Sequence, residues 1–129
     1  MAYAIHIERV NDVGESFDEN ENRINPISLA EWEAVVAATP GVRLTSADVV
    51  GRNSQTGEVI HIPSRAGDAE VYFADESAWI RVYSWFEGAV SFKPSERFDD
   101  INDPVRKISL MLASYLQARI IGDDGEFYT

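Results

Sequence analysis

Trp79-Ile-Arg-Val-Tyr-Ser-Trp-Phe86, then Glu87-Gly88, then Ala89-Val-Ser-Phe-Lys93 is the stretch that decides the fold. Aromatic and β-branched residues fill both arms, which suits a pleated, half-buried surface. The two residues that join them end in glycine, which accepts the positive φ of a tight hairpin turn. A Glu87-Gly88 turn sets Phe86 opposite Ala89, Trp85 opposite Val90 and Tyr83 opposite Phe92. Glu-Gly is a weaker turn signal than Asn-Gly, so an adjacent register is the alternative. Alternation puts Trp79, Arg81, Tyr83, Trp85, Val90 and Phe92 on one side. This side is the richer in large apolar surface and is the predicted core face, since alternation of this kind mostly reports burial. An exposed aromatic binding face is the rival reading.

Outward from the hairpin, period-two alternation continues. Residues 2–10 read as a strand with Tyr3, Ile5 and Ile7 on one side and His6 and Glu8 on the other. Ala47 to Arg52 and Glu58 to Ile62 read as strands around a turn at Asn53 to Gly57. Pro63 to Asp68 reads as a turn and Ala69 to Phe73 as a short strand. Asp124-Gly125 is a turn pair that folds Ile120-Ile121 against Phe127-Tyr128. Helical spacing marks two segments. Ser28-Leu-Ala-Glu31 is a capping box, followed by Leu29, Trp32, Val35 and Val36 on one face and stopped by Thr39-Pro40-Gly41. Asp103 is a predicted N-cap with Pro104 in the first turn. The helix after it runs to about Ala118, with Val105, Ile108, Met111, Leu112, Tyr115 and Leu116 as its apolar stripe. Arg106 and Lys107 sit at the end that disfavours cations, which points to local pairing with the preceding acids.

Together these elements predict an α+β domain spanning residues 1–129. Its antiparallel sheet has about five or six strands, with two main helices packed on one face. Leu29, Trp32, Val36, Tyr83, Trp85, Val90, Phe92, Ile108, Leu112 and Tyr115 are the predicted core.

Charge bounds the function. Acids outnumber bases 22 to 11, for a net charge of −11. That opposes nucleic-acid binding, where lysine and arginine must neutralise phosphates, and opposes an anionic membrane surface. No segment has the run of apolar residues that spans a bilayer, and the first residues lack the basic lead and apolar block of a secretory signal. With no cysteine, the expectation is a cytoplasmic protein without a disulfide framework. A strongly acidic surface either keeps the protein soluble or steers a basic partner toward it.

Residues 11–25 are polar and without apolar period, so they read as a loop, either a solvated connector or an acidic contact. The candidate partner-binding residues are Asp12, Glu15, Asp18, Glu19 and Glu21 there, Asp99 and Asp100 before the second helix, and Asp123, Asp124 and Glu126 at the last turn. The first loop lacks the ligand order of a calcium loop. His6 and His61, both on predicted strands, hold a metal only if the sheet pairs them. No nucleophile elbow and no phosphate-binding glycine loop is present. The predictions are therefore no catalytic residues, no cofactor and no metal.

The chain also resembles a group of small bacterial proteins with a recurrent layout. They share an opening strand, a serine-capped helix like Ile27-Ser-Leu-Ala-Glu-Trp32, an aromatic strand ahead of a glycine turn, and a C-terminal helix running into a tail like Gly122-Asp-Asp-Gly-Glu126. In size and charge it is similar to the immunity proteins of bacterial toxin systems, which bind and silence a cognate toxin. That resemblance implies a non-catalytic inhibitor that occludes a basic toxin. The alternatives are a structural or housekeeping homodimer joined through an exposed strand edge, and a small metal-dependent hydrolase.

Overall fold

A computed structural model describes residues 3–45, 49–52, 55–62 and 65–129, with the side chains of 49–52 and 59–62 outside that description. In chain order its elements are β1 (Ile5–Glu8), α1 (Leu29–Ala38), β2 (Val42–Leu44), β3 (Val49–Arg52), β4 (Val59–Ile62), β5 (Ala69–Phe73), β6 (Ala78–Phe86), β7 (Ala89–Phe92), α2 (Pro104–Leu116), β8 (Arg119–Gly122) and β9 (Phe127–Tyr128). The fold is α+β. Seven strands form one antiparallel sheet in the order β2-β5-β6-β7-β1-β8-β9, and β3 pairs with β4 as a separate ribbon. The sheet is wider than expected because one edge strand, β2, has three residues, too few for alternation to show. Ala2, Ala47, Asp48, Asn53, Ser54, Pro63 and Ser64, within the predicted first and second strands and two turns, lie outside the described residues.

The central hairpin closes where the turn chemistry places it. Glu87 and Gly88 have φ of 46° and 90°, the two positive values a two-residue turn needs. Trp85 pairs with Val90 and Phe86 with Ala89. Tyr83 and Phe92 meet edge to face at 5.2 Å. On this face Tyr83, Val90 and Phe92 are buried and Trp85 is half-buried.

One part of the predicted face is wrong. The register between β5 and β6 shifts at Ala69/Glu70: Ala69 opposes Tyr83, but Glu70 opposes Arg81. A bulge of this kind inserts a residue and inverts the alternation beyond it. Trp79 therefore pairs with Tyr72 on the opposite side from Tyr83. It meets Tyr72 edge-on at 5.4 Å, and the Arg43 guanidinium lies 4.1 Å from its ring centre.

Both helices cover the Tyr83 face. The Ser28 hydroxyl accepts from the Glu31 amide at 3.1 Å and the Glu31 carboxylate accepts from the Ser28 amide at 3.2 Å, completing the capping box. Trp32 anchors α1: its indole N–H donates to the Gly67 carbonyl at 2.7 Å, and its ring meets Tyr83 at 5.7 Å. Asp103 caps α2 by accepting from the Arg106 amide at 3.0 Å. Val105, Ile108, Leu112 and Leu116 face the sheet, while the Tyr83 hydroxyl and Ser109 Oγ bond at 2.7 Å in full burial. Burial pushes the Tyr83 hydroxyl's pKa well above its usual range. Tyr115, predicted to be core, is 64% exposed; Ile108, Leu112 and Leu116 already span the contact face, so its helical position falls outside it. Arg106 does not pair with the preceding acids either. Its guanidinium donates to the Phe98 and Thr129 carbonyls, both at 2.9 Å, tying the helix start to the chain's last residue.

Candidate partner-binding surface

β1 lies between β7 and β8. Its start, Ile5, pairs with Phe92 and Gly122, and its end, Glu8, pairs with Arg119. This register sorts the ten predicted contact acids. Asp12, Glu15, Asp18, Glu19 and Glu21 follow the end of β1, on the side of the β6–β7 turn. Asp99 and Asp100 follow the end of β7, and Asp123, Asp124 and Glu126 form the β8–β9 turn, both beyond the opposite end of the strands.

The two groups also differ in what their carboxylates do. Asp123 is exposed but engaged. Its Oδ2 accepts from the Ala4 amide at 2.7 Å and its Oδ1 bonds His6 Nε2 at 2.8 Å; these contacts, His6 first, hold its carboxyl below the usual range. Glu126 is half-buried and accepts from the Tyr128 hydroxyl at 3.0 Å. Asp100 accepts from the Asn102 amide at 2.9 Å, as turn chemistry. Asp99 and Asp124 are exposed.

The first loop is built. Asn11 Oδ1 accepts from the Val13 and Glu15 amides at 3.0 and 2.9 Å, and Asp18 Oδ1 from the Asn20 and Asn22 amides at 2.8 and 3.0 Å. Short polar side chains bonding the backbone ahead of them replace regular structure. Phe17 and Arg23 form a bridge, Ile24 N donates to the Ser16 carbonyl at 3.0 Å, and Glu21 sits at φ 63° at the tip. The Asn/Asp density that made this segment read as a loop is what folds it into a small hairpin.

That hairpin is fastened to the body. The Ser16 hydroxyl donates to the Glu8 carboxylate, and Arg23 Nη1 lies 3.8 Å from the same group. Arg23 Nε donates to the Glu87 carbonyl at 3.0 Å while its guanidinium stacks 4.6 Å from the Phe17 ring centre. The Ile27 amide donates to the Gly88 carbonyl at 2.9 Å, and the Trp85 indole to the Ile27 carbonyl at 2.8 Å. The half-buried Trp85 thus ties the loop's exit to the sheet.

Two adjoining concavities result, and Phe17 lines both. One, of about 480 Å³, lies between Phe17 and Phe86 and is bordered by Glu21, Asn22, Arg23 and Glu87. The other, of about 460 Å³, is bordered by Asn11, Glu15, Asp18, Glu19 and Ile24. Phe17 is 47% and Phe86 63% exposed. The arrangement is an aromatic centre inside a carboxylate rim, with the single cation Arg23 engaged from below.

Sequence reasoning did not place Phe17, Phe86 and Glu87 among the candidate contact residues. The signal for Phe17 was present: a lone aromatic inside an acidic run has no core period to serve. His61 belongs to the separate ribbon, and its side chain lies outside the described residues. Among the described residues no three His, Asp or Glu side chains gather as metal ligands, and no helix is long and apolar enough to cross a membrane. Comparison with protein-family models, curated proteins and solved structures finds no match for the chain.

Proposed function

We propose that this is an acidic binding protein of the immunity type, which silences a basic bacterial toxin by occlusion, and that the first loop and the β6–β7 turn form its contact surface. The observation that carries the reading is the exposed Phe17–Phe86 pair set inside the rim of Glu15, Asp18, Glu19, Glu21 and Glu87. Interfaces take most of their energy from a few desolvated anchors, with aromatics prominent among them. Surrounding charge sets encounter rate and partner choice. A partner presenting Lys or Arg around an apolar site is the complement of this surface. The partner undergoes no chemistry; its site is covered.

The test takes the product of the neighbouring reading frame as the candidate partner. Association is followed at low and high salt for the wild type and for Glu19→Lys/Glu21→Lys, and dissociation for Phe17→Ala. The expected results are association slowed about tenfold by charge reversal, with a flatter salt dependence, and dissociation faster by about tenfold or more for the aromatic truncation. Binding indifferent to salt and to all three substitutions would refute the assignment.

A further inference from the structure

A different observation lies at the far end of β1 and is independent of the contact surface. His6 on β1, Ser91 on β7 and Asp123 after β8 form one hydrogen-bonded chain: Ser91 Oγ to His6 Nδ1 at 2.8 Å, and His6 Nε2 to Asp123 Oδ1 at 2.8 Å. Asp123 is held in place from both sides, since its Oδ2 accepts from the Ala4 amide and its own amide donates to the Ala4 carbonyl at 3.1 Å. An ionised carboxylate only accepts, so Nε2 carries the imidazole proton. Nδ1 then offers a lone pair, and the Ser91 hydroxyl donates to it. This is the polarity of an activated serine: nucleophile, base, orienting acid.

Ser91 also lines a cleft of about 610 Å³, where β6 parts from the end of β7. Phe73, Val82 and Phe92 supply its apolar wall. Ser84, the cross-strand partner of Ser91, and Lys93, two residues along the same strand, line it as well. Arg81 is there too, but it is engaged by Asp68 at 3.2 Å. Lys93 makes no ion pair among the described residues, in a chain with twice as many acids as bases. The amides of β7 serve its pairing with β6 and β1, so stabilisation of an oxyanion falls to side chains, Lys93 first.

We propose that Ser91 is a reactive nucleophile and that this cleft cleaves small carboxylic esters. As Ser91 Oγ bonds to the ester carbonyl carbon, its proton passes to His6 Nδ1. His6 returns that proton to the departing alkoxide oxygen, leaving an acyl-serine. Water then attacks the acyl carbon with its proton taken by His6, Ser91 regains a proton, and the carboxylic acid departs. Ser91 and His6 are the catalytic residues, and Asp123 is a positioning residue.

The test treats the full chain with a fluorophosphonate probe, maps the adduct by peptide mass spectrometry, and follows hydrolysis of p-nitrophenyl butyrate. Labelling is expected at Ser91, retained in Ser114→Ala on the exposed side of α2 and lost in Ser91→Ala. His6→Asn should slow both reactions about 100-fold. Asp123→Asn should lower kcat with KM unchanged, which a purely structural clip would not do. Lys93→Met should lower hydrolysis while leaving the fold's melting temperature in place. If Ser91 in the wild type reacts no faster than Ser84, or if ester turnover is the same in Ser91→Ala, the proposal is overturned and the three residues only tie β1, β7 and the last turn together.

Discussion

Substituting Gly88 with alanine tests whether the acidic loop is fastened to the hairpin turn as the structure shows. Gly88 has φ 90°, where an L-residue costs about 1–2 kcal/mol. Its added Cβ would also lie 2.6 Å from Pro26 Cβ, 3.1 Å from Pro26 Cα and 3.1 Å from Arg23 Cδ. The arginine tip can yield, but the proline is backbone-bound and must move, along with the Ile27 amide bonded to the Gly88 carbonyl. Overlap of this sort costs about a further 1–3 kcal/mol. Gly125 provides the control: its φ is 85°, and an added Cβ meets nothing within 4 Å. Gly125→Ala should therefore show the backbone penalty alone. Urea unfolding of the two variants should differ by about 1–3 kcal/mol, with Gly88→Ala the weaker fold. Hydrogen exchange in Gly88→Ala should speed up across residues 16–27 and stay unchanged in β8 and β9. Equal destabilisation of the two variants, or unaltered exchange in the loop, would refute the docking.

Three further outcomes follow from the same contacts. Tyr83→Phe strands the buried Ser109 hydroxyl and should cost about 1–3 kcal/mol; adding Ser109→Ala should restore about 1 kcal/mol, a coupling that urea midpoints of the two single variants and the double variant will reveal. Glu31 has its carboxyl lowered from 4.5 to about 2, chiefly by its bond to the Arg9 guanidinium and then by the Ser28 amide, and Asp123 is lowered by His6 and Ala4. A lowered acid contributes stability above its unfolded value and loses it as pH falls through the folded one. Stability should thus decline below about pH 4.5, and Glu31→Gln should flatten that decline; an unchanged slope in acid-unfolding curves would count against the Arg9–Glu31 pair. Asp103→Ala loses the cap of α2 and the acceptor for Ser95 Oγ at 3.0 Å, and should cost about 1–2 kcal/mol in thermal unfolding, with Asp103→Asn costing less.

What could be read from the sequence was local. The Glu87-Gly88 turn fixed its own register, because a one-residue slip would have turned Tyr83 and Val90 outward together. Ser28 with Glu31, Asp103 with Pro104, and Asp124-Gly125 each carry their chemistry within a few residues, and each formed as read. The misses depend on distance along the chain or on neighbours. Trp79 changed sides because of a bulge whose cause lies in the pairing with β5. Tyr115 was read as core because a helical stripe shows a period but not how wide the contact is. The ten acids fell in three groups along the chain with no shared face assigned, and the register of β1 put them at two ends of the strands. His6 and Asp123 meet across 117 residues, and nothing near either one announces the other. Residues 11–25 were read as a loop and are one, but their compactness was not visible: asparagine and aspartate signal the absence of helix and strand, yet they also build a compact turn from side-chain acceptors.

The place of β1 has a consequence for how the molecule comes into being. It is synthesised well before both strands that flank it, β7 and β8. A growing chain on the ribosome therefore carries Ile5 and Ile7 with neither flanking strand to receive them until β7 and β8 have followed. Assembly must wait, since so many of the joining contacts link distant parts of the chain. A chain cut short before Arg119 would lack one flank of β1 and would be recognisable to quality control by the bare isoleucine edge it leaves behind.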